Sequence, residues 1–246
     1  MDNVIYAATL GSIAEQRRFE LLSNNLANIN TPGFKADRLS NRAQVEYISD
    51  DKFSRNRVEF KSLLNKLESH TSFEQGPIKQ TGHKFDLALE GPGFFAIQTP
   101  WGINYTRAGN FRLDTEGTLV TAEGYPVLGE SGPIQLESQQ DFTVTPEGVV
   151  ISQGTEVDKL QITEFERPDL MTKIGSTLFN APREANARPS EGTRISQGSL
   201  EEPNANMVKL LAEMIHAQRS FETYQRIIKM TDELNGQLTT KMIGVK

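Results

Sequence analysis

The sequence predicts an α+β protein: N- and C-terminal helices paired as a coiled coil, and a central antiparallel all-β domain of barrel or sandwich type joined to them by an extended arm. Three observations predict this. Both ends carry apolar residues three and four apart, which places them along one helix face. The middle is a succession of short β-type runs bounded by glycine, proline and acidic turns. Between the first helix and that module lies a polar stretch with too few apolar residues to build a core.

The first helix is read over about residues 3–28. Ile5, Ala8, Ser12, Glu15, Phe19, Leu22, Leu26 and Ile29 form a heptad seam, weakened in the middle by Ser12 and Glu15. At ~1.5 Å per residue the helix is about 39 Å long. Pro32 disfavours helical geometry at Thr31 and Gly33 supplies a sharp exit, so the helix stops there. Residues 1–34 are assigned to the helical domain and 35–70 to the arm. Leu63, Leu64 and Leu67 are the arm's few apolar residues, with room for one short helix.

The β module is assigned to 71–198. FDLALEG, FFAIQT, INYTRAG, NFRL, TLVT, FTVT, VVIS and LQITEF are its short strand-like runs. A weak internal repeat supports hairpins: Glu116-Gly117-Thr118-Leu119-Val120-Thr121 before Gly124 resembles Glu147-Gly148-Val149-Val150-Ile151-Ser152 before Gly154. The last domain, 199–246, is a second helix read from Pro203 to Lys241, about 58 Å long at the same rise. Its seam is Met207, Leu210, Met214, Ala217, Phe221, Tyr224, Ile228, Thr231, Asn235, Leu238 and Met242, widened by Val208, Leu211, Ile215 and Ile227. Ile5, Phe19, Leu22, Leu210, Met214, Phe221, Tyr224 and Ile228 are the expected helix-interface residues. Two amphipathic helices at opposite ends of a chain cover their stripes by packing on each other or, alternatively, by docking on the β domain of a monomer. The length of the second helix, longer than a β module of this size is wide, favours the first.

Charge and composition narrow the function. Net charge is −6, yet residues 113–170 hold twelve acidic residues against Lys159 and Arg167, a local charge of −10 that leaves +4 elsewhere. An acidic module argues against nucleic acid, which needs a basic face. With no cysteine, disulfides, thiolate metal sites and thiol nucleophiles are excluded. The first twenty residues lack the basic-then-apolar pattern of a cleaved signal, and no apolar run reaches the roughly 20 residues that span a bilayer. The reading is a soluble chain that inserts in no membrane and, if exported, carries no Sec-type leader.

No catalytic or cofactor constellation stands out. His70, His83 and His216 have no metal-ligand spacing. Gly91-Pro92-Gly93 lacks the Lys-Ser/Thr ending of a phosphate loop and leads into a strand. Asp114 and Glu116 sit together in a hairpin turn, where solvated acids are the rule. Trp101, in Pro100-Trp101-Gly102, is either an exposed interface anchor or a partly buried packing residue. Met207, Met214, Met230 and Met242 suit an adaptable interface or plain core equally. The expectation is a non-enzymatic protein with no cofactor.

Several blocks together resemble one family. Asn24-Asn25-Leu26-Ala27-Asn28-Ile29-Asn30-Thr31-Pro32-Gly33-Phe34-Lys35 looks like the signature of the flagellar axial proteins of rod and hook. Gly91-Pro92-Gly93-Phe94-Phe95 and the run YTRAGNFRLDTEGTLVTAEGYPVLG from Tyr105 to Gly129 are similar to its central blocks. Gln197-Gly198-Ser199-Leu200-Glu201, Asn204-Ala205-Asn206, Met214-Ile215 and Gln218-Arg219-Ser220-Phe221-Glu222 complete the match in order. Pro203 departs from the pattern, which often has Ser there.

The resemblance implies an assembly motif at Asn24, Asn25, Leu26, Asn28, Thr31, Gly33 and Phe34. It implies a central motif at Gly91, Gly93, Phe94, Phe95, Tyr105, Thr106, Arg107, Gly109 and Gly117. It further implies a subunit of the basal-body rod, a hollow driveshaft crossing the bacterial periplasm, whose terminal helices line the channel. Its partners would be copies of itself, other proximal and distal rod subunits and the flagellar type III export apparatus. The arm EYISDDKFSRNRVEFKSLLNKLE lacks the Gly-Leu-Gln-Ile-Gly-Thr-Gly-like stretch usual in the distal-rod type, which favours the proximal-rod type. The rival class is a secreted β-domain adhesin held together by coiled-coil ends.

Overall fold

The structure, a computed structural model, describes residues 2–41, 67–136, 142–190 and 192–243. The fold is α+β, with two long helices and a β region whose ladders are antiparallel wherever their register is defined. The chain divides into two compact units. One comprises Met1–Ala27, Asp37–His70 and Asn206–Lys246, the other Asn28–Ala36 and Thr71–Ala205. No described helix is long and apolar enough to cross a membrane.

The helical unit holds helix α1 (Asp2–Ala27) and helix α2 (Met207–Ile243). The second helix starts four residues later than Pro203. Glu201 and Glu202 are held elsewhere by backbone pairing to Ile78 and Pro77, and Asn206 is the cap: its side-chain oxygen accepts from the Lys209 amide at 3.0 Å. That contact satisfies an amide the first turn leaves without a helical partner. The arm is not structureless at its ends, where Asp37–Asn41 and Leu67–Thr71 pair as a two-stranded sheet. The place of the expected short helix lies outside the described residues.

The β unit is built on a six-stranded sheet. Its order is Thr172–Ile174, Leu178–Asn180, Gly102–Thr106, Phe94–Thr99, Ile162–Phe165, Ala187–Pro189. The central strand sends alternate side chains to opposite faces, and this explains the consecutive Phe94 and Phe95. Phe95 and Ile97 enter a large core with Leu87, Leu89, Leu119, Val127 and Ile134. Phe94 enters a smaller aromatic core with Phe165, Met171 and Phe179. Phe73 and Tyr105 pack against that cluster, Phe73 edge-on to Phe94 and Tyr105 edge-on to Phe165.

The internal repeat is a repeated turn. Asp114 N donates to Thr118 O and Gly117 N to Asp114 O; Thr145 N donates to Val149 O and Gly148 N to Thr145 O. Each turn has a side-chain oxygen bracing its far strand, Asp114 Oδ1 for Thr118 N and Thr145 Oγ1 for Val149 N.

Candidate functional site

Along α1 the seam is covered. Ala8, Ser12 and Leu22 are buried, and Ile5, Glu15, Phe19 and Leu26 are half-buried. At the weak middle of the seam the partner helix packs closely. A Cβ on Gly11 would lie 2.5 Å from the Tyr224 ring, and the Gln225 amide donates to Ser12 Oγ at 3.0 Å. Small residues at 11 and 12 therefore make room for the tyrosine. One carboxylate oxygen of Glu15 is buried there with no hydrogen-bond partner among the described residues.

On α2, Leu210, Ala217 and Thr231 are buried, while Met214, Phe221, Tyr224 and Ile228 are half-buried. Met207, placed on the seam by its spacing, is 46% exposed. The side chains of Leu238 and Met242 lie outside the described residues. A second set of apolar residues is uncovered: Val208 at 77% exposure, with Leu211, Ile215, Met230 and Leu234. At 3.6 residues per turn these five fall within an arc of about 140° on the side of the helix opposite the buried seam. The far side of α2 is therefore mixed: Val208, Leu211 and Ile215 form one exposed apolar group and Met230 and Leu234 another, with exposed Arg219, Glu222 and Arg226 between them.

The block from Asn24 makes a chain reversal. Within the helical unit, Asn25 is buried and its amide reads a strand backbone, donating to Asp37 O at 2.8 Å and accepting from Asp37 N at 3.0 Å. Leu26 is half-buried and Asn24 exposed. Within the β unit, Thr31 N donates to Asn28 O, and Gly33 N donates to Glu201 O at 2.7 Å. Gly33 has φ +68 and lies against the Arg107–Ala108 backbone, where a Cβ would overlap Ala108 N. Only glycine satisfies both demands. Phe34 is buried, with the Lys173 ammonium 4.2 Å from its ring centroid. That ammonium also donates to Lys35 O at 2.7 Å.

At the end of this reversal lies a buried charge cluster. Lys35, Glu201 and Arg107 are 0%, 1% and 4% exposed. Lys35 Nζ reaches Glu201 Oε1 at 2.6 Å and donates to Glu74 O at 2.7 Å; Gly76 N donates to the same Glu201 oxygen at 2.9 Å. Arg107 NH1 holds the other Glu201 oxygen at 3.2 Å, and its NH2 donates to Gly91 O at 2.7 Å. The guanidinium also lies 5.2 Å from the Phe94 ring centroid. Two cations against one anion leave the cluster at +1. Burial lowers the Lys35 pKa, opposed by Glu201, and burial likewise lowers that of Arg107. Next to the cluster, Asn204 accepts from Ala36 N and donates to Ser72 O and Glu74 O.

The structure thus brings Gly33, Phe34, Gly91, Phe94 and Arg107 into one neighbourhood. Phe95 adjoins it on the central strand and Gly93 directly precedes that strand, and Thr106 donates from its hydroxyl to Thr177 O. Gly109 packs on the Leu87 backbone, while Gly117 sits in the first repeated turn. Tyr105 is half-buried and its pKa is raised by burial. Glu201, Lys35 and Asn204 were not singled out from the sequence as site residues. Each lies in a block that carries the resemblance, but nothing local marks a lysine and a glutamate as partners across 166 residues.

Comparison with known proteins finds matches along most of the chain. Residues 5–35 match the family described as flagella basal body rod protein. Residues 88–152 match the D1 domain of flagellar hook protein FlgE/F/G, and 196–241 the C-terminal part of flagellar basal body rod FlgEFG protein. Relatives include the flagellar basal-body rod protein FlgF of Caulobacter vibrioides, 30% identical over 96% of both chains. They also include FlgG of Bacillus subtilis, 31% identical over 95% of this chain and 97% of its own. FlgF of Mesorhizobium japonicum is 29% identical over the full length of both.

Proposed function

This chain belongs to the flagellar basal-body rod protein family and is a structural rod subunit, not an enzyme; from that premise we propose that it polymerises through the open face of α2 into a hollow, torque-transmitting shaft. One observation carries the proposal: helix α2 buries its seam on α1 and leaves Val208, Leu211, Ile215, Met230 and Leu234 open on its far side. An exposed apolar group such as Val208, Leu211 and Ile215 marks an interaction surface. The two helices pair as a coiled coil, neighbouring pairs cover each other's open apolar groups, and the resulting wall lines the channel. The β unit, closed in barrel or sandwich fashion around its cores, forms the outer layer. In this reading the Asn24–Phe34 block and the central motif fix the shape of the subunit that is stacked.

Within the family we favour the proximal rod. The support is the arm, which lacks the glycine-rich stretch usual in the distal type; relatives of both types are about equally similar. The rod crosses the periplasm, and the subunit reaches it through the flagellar type III export apparatus.

The test is the double substitution Leu211→Asp and Ile215→Asp in the full chain. Both side chains are exposed, so the fold should hold to within about 0.5 kcal/mol per site. Sedimentation should show loss of polymers, and basal bodies from cells producing the variant should lack rods beyond this subunit. Polymers unchanged by two buried charges would overturn the proposal.

A further inference from the structure

We propose that Asn235-Gly236 in helix α2 is a site of spontaneous deamidation gated by the helix itself: protected while α2 is wound there, converted to aspartate and isoaspartate when that end opens. The site stands whether or not the chain polymerises through α2.

Asn235 is the one asparagine of the chain that a glycine follows, and the chemistry needs that order. The backbone nitrogen of the following residue attacks the asparagine side-chain carbonyl carbon, and a side chain on that residue crowds the approach. Gly236 has none, and a Cβ built there would enter open space. Glu233, Leu234, Gly236 and Gln237 are all exposed, so water reaches the site.

The steps balance with water as the only co-reactant. A bond forms from Gly236 N to the Asn235 side-chain carbonyl carbon, the amide C–N bond breaks, and ammonia leaves with the proton that the Gly236 amide gives up. The resulting succinimide ring takes up one water. Opening at the side-chain carbonyl leaves aspartate. Opening at the main-chain carbonyl leaves isoaspartate, whose main chain runs through the former side-chain carbon. Nothing is oxidised or reduced.

The helix blocks the first step. Helix α2 is continuous from Met207 to Ile243. Inside it the amide of residue 236 is committed to the carbonyl of residue 232, and ψ near −42° at residue 235 holds that nitrogen away from the side-chain carbonyl carbon. Ring closure needs an extended backbone, so it proceeds through locally opened molecules, which helix ends visit most readily. Glycine is, after proline, the weakest helix former, which lowers the cost of opening at this place. The glycine of α1 has a packing reason, since Gly11 makes room for Tyr224; no atom crowds Gly236 in that way.

The product does not fit the helix it leaves. Asn235 is half-buried, and a carboxylate there loses solvation. A negative charge near a helix C-terminus also opposes the helix dipole. Isoaspartate adds a main-chain carbon, which breaks the ladder of hydrogen bonds from residue i to i−4. The change is irreversible, so a chain whose helix end stays open loses that end, and one whose end stays wound keeps it.

The experiment incubates the full chain in mildly alkaline buffer and follows residue 235 by peptide mass mapping, with chromatography separating isoaspartate from aspartate. Conversion should be about tenfold faster in urea than in buffer alone, and trifluoroethanol, which reinforces helix, should slow it. Gly236→Ala should slow conversion in buffer at least about fivefold, from helix propensity alone. The helical circular dichroism of the converted chain should melt at lower temperature than that of the fresh chain. Asn235→Gln, whose amide lies one methylene farther out, should keep both its mass and its melt through the same incubation. Equal rates in buffer and urea would overturn the gate. Asn235 left intact in buffer after the urea sample has fully converted would overturn the site. A converted chain that melts like the fresh one would overturn the effect on the helix.

Discussion

Substituting Glu201→Gln tests the buried cluster at its one anion. The amide is nearly isosteric, so packing is kept and the charge is removed. Lys35 and Arg107 then remain as two buried cations, and the cluster passes from +1 to +2. Glu201 accepts from Lys35, Gly76 and Arg107 at 2.6, 2.9 and 3.2 Å. A glutamine keeps one acceptor oxygen, while its amide hydrogens oppose the remaining donor. Breaking a buried ion pair from one side costs about 3–5 kcal/mol, a large share of the roughly 5–15 kcal/mol typical of a folded domain. Lys35→Met is the informative comparison. It leaves the Glu201–Arg107 pair intact, brings the cluster to zero and forfeits hydrogen bonds to Glu201 and Glu74 O, about 1–3 kcal/mol in all. Urea unfolding followed by near-ultraviolet circular dichroism reports the β unit, which contains the packed aromatic cluster of Phe94, Phe165 and Phe179. The midpoint should fall for both variants with an unchanged slope, and further for Glu201→Gln. A loss below about 1 kcal/mol for Glu201→Gln, or one no larger than for Lys35→Met, would refute the reasoning.

Other outcomes follow from the same geometry. Burial holds the folded-state pKa of Lys35 below its ordinary 10.5. The unfolded chain therefore binds more protons between those two values, and stability of wild type relative to Lys35→Met should rise with pH up to about 10.5, read from urea midpoints. Gly33→Ala should cost more than about 3 kcal/mol, because positive φ adds to backbone overlap, whereas Gly175→Ala, with φ +69 and open space, should cost about 1–2 kcal/mol. Thermal melts distinguish them. Gly11→Ala should weaken the helix pair despite a propensity gain of about 1 kcal/mol, and adding Tyr224→Leu should restore it, measured by helical circular dichroism on heating. A fragment of residues 28–205 should stay folded and form no rod-like polymer in sedimentation, since it keeps the β unit and drops both long helices.

How much of this was legible beforehand can be argued residue by residue. The three- and four-residue spacing that marks Ala8, Leu22, Leu210 and Ala217 also buries them, because helical period alone decides which side chains share a face. The Glu116 and Glu147 repeats announced two equivalent turns, since turn chemistry is local. Ser12 looked like a flaw in the seam; the structure places Tyr224 and Gln225 there. The start of α2 was misplaced because Pro203 suits a first turn, while Asn206 actually caps it.

Sequence by itself determined the helices, the hairpins and the family, since these rest on short-range pattern and on blocks that stay in order. Tertiary structure alone decided three things. It joined Lys35 to Glu201 and Arg107, left Trp101 exposed, and covered the seam of α2 but not Val208, Leu211 and Ile215. The physical reason is common to all three. Burial and ion pairing belong to pairs of segments brought together by packing, and a spacing of 166 residues carries no local trace of its partner.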